Sequence, residues 1–185
     1  MFKQVKQFVD NSRPDFKSHY QNTVDWLLKL YPDADEVVQS AAYAHDIERS
    51  FRKASEKNIV VYKKIRCDDA EYLEKHQVKG AEIIKRFLES KNFPKQDIKR
   101  ICNIISHHEV GGDVESDMVM NADSLSYFDV NSKRHVDKFL PIIGKEKVMI
   151  KLDFMYKRIS SAEIKKLARP MYETAVKYLV EQSNE

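Results

Sequence analysis

The chain has 185 residues, of which 42% are hydrophobic and 33% charged, and carries a formal net charge of +3 at pH 7. These values suit one soluble globular domain with a real core. Mild basicity without a clustered basic stripe argues against a dedicated nucleic-acid binder, and no stretch approaches the roughly 20 apolar residues of a membrane span.

The two cysteines, Cys67 and Cys102, form no CxxC pattern and read as reduced thiols. The start, Met1-Phe2-Lys3-Gln4-Val5-Lys6-Gln7, is charged and lacks an apolar signal core. Cytoplasm is the expected compartment. With only four Gly and five Pro, long helices are favoured over a many-stranded sheet.

In chain order, a short helix is expected over 2–10, stopped near Asn11 and Pro14. Asp15 can cap a second helix to about Leu30, ended by Pro32. A third runs from about Asp35 to Glu48, with Val38, Ala41, Ala42 and His45 on one face. Residues 49–67 are less regular and rich in Lys and Arg, with a helical or extended piece over 58–65 as one option.

Asp68 or Asp69 can cap a long helix to about Ser90, where His76 lines up with Gly80, Ile83, Ile84 and Phe87. Pro94 suits the first turn of the next helix, which carries Ile98, Ile101, Cys102 and Ile105 and ends in His107-His108-Glu109. Gly111-Gly112 breaks the chain. Helices are then expected over about 116–128, 132–140, 144–159 and 161–182, with Pro141 and Gly144 as separators and Pro170 kinking or splitting the last.

Five of the six histidines fall into one ordered series: His19, His45-Asp46, His76 and His107-His108, with Asp123 behind them. His135 stands outside it. Imidazole nitrogens and carboxylate oxygens are what a divalent metal needs. His45 and His76 each interrupt an apolar stripe, so both are expected to face the interior, where a polar group requires a partner. Inward ligands on several helices are how bundles build metal sites. Successive helical residues diverge by about 100°, so His45 and Asp46 can share one ion only near a helix end.

The order His, His-Asp, Asp resembles the HD-domain superfamily of metal-dependent phosphohydrolases. It is carried by Ser18-His19-Tyr20, Ala42-Tyr43-Ala44-His45-Asp46-Ile47 and Asn121-Ala122-Asp123-Ser124-Leu125, over about residues 15–130. The resemblance implies an all-α, single-domain helical bundle spanning 1–185. It also implies a first metal set of His19, His45, Asp46 and Asp123. His76 and His107-His108-Glu109 are similar to the subgroups holding two metals, with Asp46 as a bridge. Helical projection favours His108 over His107. The cyclic-dinucleotide branch continues into Gly-Tyr-Pro, whereas this chain reads Val110-Gly111-Gly112-Asp113.

Such ligands suit one or two ions of Mn, Fe, Co, Ni or Zn, which lower the pKa of bound water towards neutrality and polarise a phosphoryl oxygen. The expected activity is hydrolysis of a phosphate ester or nucleotide. Asp46 orients water and Glu109 is a proton-shuttle candidate. Arg49, Arg52 and Lys79 are candidate phosphate contacts. Tyr127 and Phe128 are expected mainly to pack, with stacking on a base as the alternative. A di-iron HD-type oxygenase and a non-catalytic metal- or nucleotide-binding module remain as alternatives.

Overall fold

The computed structural model describes residues 1–12, 17–52 and 67–183. The expected cap at Asp15, the stop at Pro14, the piece over 58–65 and most of the basic stretch lie outside them. Among the described residues the fold is all-helical, and no helix is long and apolar enough to cross a membrane.

Helices α1 (Phe2–Ser12), α2 (Lys17–Leu30) and α3 (Glu36–Ala44) come first. Asp35 caps α3, its carboxylate accepting from the amides of Val37 and Val38. The third helix stops four residues before the expected Glu48. His45 is its cap, Asp46 departs from helical geometry (φ −98°, ψ 16°), and a 3-10 turn follows over Ile47–Ser50. This early ending is what lets neighbouring His45 and Asp46 both face inward.

Helix α4 (Ala70–Ser90) is capped by Asp69, which accepts from the Tyr72 amide. Gly80 lets α4 approach closely: a β-carbon there would lie 3.3 Å from Ile105 Cγ2 and 3.7 Å from the His45 carbonyl oxygen. His76, one turn earlier, is thereby carried against the end of α3. Pro94 is the cap of α5 (Lys95–His107) and not a first-turn residue, its extended ψ of 135° preceding the helix. Gly111 and Gly112, both at positive φ, make the expected break.

Helix α6 (Val114–Ser126) widens into a π-turn at Tyr127–Asn131 and runs on into α7 (Ser132–Lys157). The expected separation within α7 occurs at Gly144 (φ 79°), whereas Pro141 sits inside the helical run. In α8 (Ala162–Gln182) Pro170 neither ends nor divides the helix.

The buried apolar residues form two main groups. One joins α1–α6 around Leu27, Ile84, Ile101 and Ile105. The other joins the π-turn, α7 and α8 around Val148, Leu152 and Leu179. Leu125, Ile159, Ile164 and Ala168, with Trp26 and Tyr31 against them, link the two. The polar cluster described next draws on α2, α3, α4, α5 and α6, and the end of α7 closes over it.

Candidate metal centre

His19 on α2, His45 at the end of α3, His76 on α4, His108 after α5 and Asp123 on α6 are all buried, as is Asp46. Their donor atoms form two sets of three, each set within 4.8 Å: His19, His45 and Asp123; and Asp46, His76 and His108. The sets adjoin. Ring centroids step from His19 to His45 (5.4 Å), from His45 to His108 (5.2 Å) and from His108 to His76 (5.5 Å). Asp46, expected both in the first set and as the bridge to the second, groups with His76 and His108.

The imidazoles share one orientation. His45 and His108 each donate Nδ1–H to the carbonyl three residues back, of Ala42 and Ile105, at 2.8 Å. His19 donates Nδ1–H to Ser126 Oγ (2.9 Å), whose own hydroxyl donates to the His19 carbonyl. His76 donates Nδ1–H to the buried carboxylate of Glu48 (2.8 Å). Carbonyl oxygens only accept, which fixes the Nδ1–H tautomer of His45 and His108, whereas His76 meets a carboxylate at each nitrogen, Glu48 at Nδ1 and Asp46 at Nε2. The Nε2 atoms of three of the imidazoles point at the carboxylates: His19 lies 3.1 Å and His45 3.3 Å from Asp123 Oδ1, and His76 3.0 Å from Asp46 Oδ1. The His45–Asp123 approach is an ion-pair distance without hydrogen-bonding alignment, and the buried Nε2 atoms of His45 and His108 have no hydrogen-bond partner.

That pattern is how proteins hold imidazole for a metal, with one nitrogen fixed by a carbonyl or carboxylate and the other presented. Lone buried polar atoms are costly, and a divalent cation in each set would satisfy both orphaned nitrogens. The charges agree. Burial disfavours protonated His45, yet Asp123 and Asp46 outweigh it and lift its pKa to about 9. His108 is pushed down to about 3, first by burial and then by His45 and His76. Burial opposes ionised Asp123 and Asp46. His45 and Arg158 nevertheless hold Asp123, and Arg49 and His76 hold Asp46, well below the usual carboxylate range.

Around these donors runs an alternating circuit of charge. Asp46 Oδ2 lies 2.6 Å from Arg49 Nε, and the Arg49 guanidinium lies 3.9 Å from Glu109 Oε1. Glu109 also pairs with Arg158, which in turn pairs with Asp123 and donates to Ser124 Oγ at 2.9 Å. Glu109 is buried, which raises a carboxyl pKa, but Arg158 and Lys151 bring it down to about 2.

The other expected residues sit differently. His107 is exposed, with Nδ1 on the Asn103 carbonyl (2.8 Å), and belongs to neither set. It points a helical step away from His108, towards solvent. Arg52 clasps Glu48 through Nε (2.8 and 3.1 Å) and donates to the Tyr72 hydroxyl (3.0 Å), so it fixes the carboxylate that fixes His76. Lys79 is 43% exposed and 3.8 Å from Glu48 Oε1. Arg52, Lys79 and His76 line an open cavity of about 850 Å³ along α4. Phe128 packs in the core as expected, and Tyr127 joins it with its ring.

Sequence reasoning missed Glu48, Ser126 and Arg158. Glu48 reads as one acid in a charged stretch. Arg158 lies 35 residues beyond Asp123 and looks like a cation at a helix end. A usable signal was present in α7, where Lys151, Phe154 and Arg158 form a face distinct from the buried Val148, Leu152 and Met155.

The family model described as Domain of unknown function (DUF4202) matches residues 4–180. No curated protein and no solved structure matches the chain.

Proposed function

The chain belongs to the family described as Domain of unknown function (DUF4202), and we propose that it is an HD-type, metal-dependent phosphohydrolase cleaving a phosphate ester or nucleotide. The observation that carries this reading is the set of four buried imidazoles whose Nδ1 atoms are engaged and whose Nε2 atoms converge with Asp46 and Asp123. His19, His45 and Asp123 would hold one ion, and Asp46, His76 and His108 a second. The donors contain no thiolate, which suits Mn, Fe, Co, Ni or Zn. When bound, such ions supply Lewis acidity, acidifying water and polarising a phosphoryl oxygen.

The chain's own groups do the rest. Asp46 has one oxygen facing His76 and the other facing Arg49, so it ties the donor set to a guanidinium. Arg49 and Arg158 stand on either side of Glu109, where forked donors suit a phosphoryl group. Glu109 was a proton-shuttle candidate. Arg158 and Lys151 favour its ionised form, and in this reading the carboxylate also holds the two arginines oriented. Arg52 and Glu48 keep the His76 ring in place.

Arg49 and Arg158 beside the donors favour an anionic substrate over the oxygenase alternative. The test is chelator-stripped protein reloaded with Mn, Co, Ni or Fe and assayed for phosphate release from nucleotides and simple phosphoesters. Turnover with at least one ion, lost in Asp46→Ala, is expected. No turnover with any ion, together with unchanged metal content in Asp46→Ala, overturns it. Oxygen consumption by iron-loaded protein in the absence of phosphate release would favour the oxygenase.

A further inference from the structure

Beyond the metal donors, the π-turn and α7 carry polar groups that the hydrolytic reading leaves unused. Tyr127 is 5% exposed, and its hydroxyl is buried without a hydrogen-bond partner. His135, about two turns on, stacks edge-on against Tyr127 (5.9 Å between centroids) and lies 4.7 Å from the Phe139 ring. Its Nε2 is likewise sealed and unpartnered. Two such atoms side by side carry a desolvation cost that nothing among the described residues offsets.

The neighbours of this pair are cations. Lys151 Nζ lies 5.7 Å from the Tyr127 ring centroid and 5.1 Å from that of Phe154, whose other neighbour is Arg158 at 5.5 Å. Lys151, Phe154 and Arg158 are spaced three and four residues apart on α7 and so share one face. Arg49 completes the group from the 3-10 turn. The charges of Lys151 and Arg49 both act on His135, which burial and these cations push down to about 3. Burial pushes the Tyr127 phenol well up. Sealed polar atoms ringed by cations disfavour a further positive charge, which suits a neutral hydroxylated partner.

We infer that Tyr127 and His135 form a subsite for the hydroxylated alcohol portion of a phosphate monoester, a sugar or nucleoside monophosphate, whose phosphate is drawn to Arg49, Lys151 and Arg158. The Tyr127 hydroxyl donates or accepts, and the unprotonated His135 Nε2 accepts from a substrate hydroxyl. The neighbouring rings of Phe139 and Phe154 offer apolar surface for the carbon skeleton. The phosphate end of this assignment rests on the phosphohydrolase reading, whereas the polyol end rests on Tyr127 and His135 alone.

Isothermal titration calorimetry separates the two. Mn-loaded wild-type protein is titrated with ribose 5-phosphate and, separately, with inorganic phosphate. Ribose 5-phosphate is expected to bind more tightly. Y127F and H135N should each weaken it about fivefold to tenfold, the loss of one hydrogen bond, while retaining their affinity for inorganic phosphate. K151M should weaken both ligands. Melting curves of each variant identify any that fails to fold, and the conservative Y127F provides the reading if H135N does. Equal affinity of wild-type protein for the two ligands, or an unchanged preference in Y127F and H135N, overturns the assignment. Preferential ribose 5-phosphate binding without any phosphate release supports the subsite and counts against hydrolysis.

Discussion

His45 carries the clearest electrostatic consequence at the level of single residues. Its pKa is raised from 6.5 to about 9 because two buried carboxylates favour a positive charge beside them. In the metal-free protein that charge is a proton; a divalent ion has to displace it. Metal affinity should therefore rise as pH increases from about 6.5 towards 9, with proton release on binding. Calorimetry in buffers of different ionisation enthalpy measures the released proton, and a pH-independent affinity would contradict the assignment.

Glu48 gives a second prediction at this scale. It accepts from His76 Nδ1 and is clasped by Arg52. Glu48→Gln removes the charge that orients the ring, and loss of such a partner costs about 10–100-fold in metal affinity. The variant should bind metal more weakly at the His76 set while His19, His45 and Asp123 are unaffected, so stoichiometry at limiting metal should drop before binding is abolished. The candidate donors His45 and His76 were legible because imidazole on an apolar stripe is conspicuous. Glu48 was not, since its inward direction depends on α3 ending at Ala44 and giving way to a 3-10 turn, and a projection at 3.6 residues per turn fails across that change.

Among the elements, the loop between α5 and α6 is the most constrained. Gly111 has φ 68°, and a β-carbon there would run into the Asp117 carboxylate and Met120. That carboxylate accepts from the Gly112 amide at 3.1 Å. Gly111→Ala combines left-handed strain of about 1–2 kcal/mol with a clash that must push Asp117 aside. Its melting temperature should fall, and because the loop connects His108 to α6, metal binding should weaken with it. An unchanged melt would show that the loop relaxes freely. The break at Gly111-Gly112 was readable from the residues alone, as was the discontinuity at Gly144. Pro170 was not: it is exposed inside an unbroken helix whose opposite face is buried at Ala168 and Ala175, a case of tertiary context overriding a local breaker. The π-turn over Tyr127–Asn131 also left no local trace, although it turns the Tyr127 ring inward beside Asp123.

For the whole molecule, buried charge makes stability depend on pH in two directions. Glu109 titrates at about 2 in the fold against an ordinary 4.5. Its stabilising contribution is complete above 4.5 and is lost as pH falls towards 2. His45 has the opposite sign: its contribution is complete below 6.5 and is lost as pH rises through about 9. His108 and His135, both pushed down to about 3, resist protonation that the unfolded chain accepts below 6.5, so they too cost stability as pH falls. Metal-free protein should therefore melt highest near pH 6.5 and lower on either side, as thermal unfolding in chelator can record. A saturating divalent ion should raise the melting temperature and flatten the alkaline arm, since the ion replaces the proton. An all-helical chain with inward histidines was predictable from periodicity, but the contribution of α7 was not, because Arg158 meets Glu109 and Asp123 only through the folded chain.

Metal analysis of chelator-stripped protein, reloaded with Mn and desalted, bears most directly on the centre itself. The account predicts two ions per chain, with the Asp46 and His108 set lost in a His108→Ala variant and all metal lost when His45 and Asp123 are also replaced by alanine. Retention of no ion by the wild-type chain, or equal metal content in all three proteins, would contradict it.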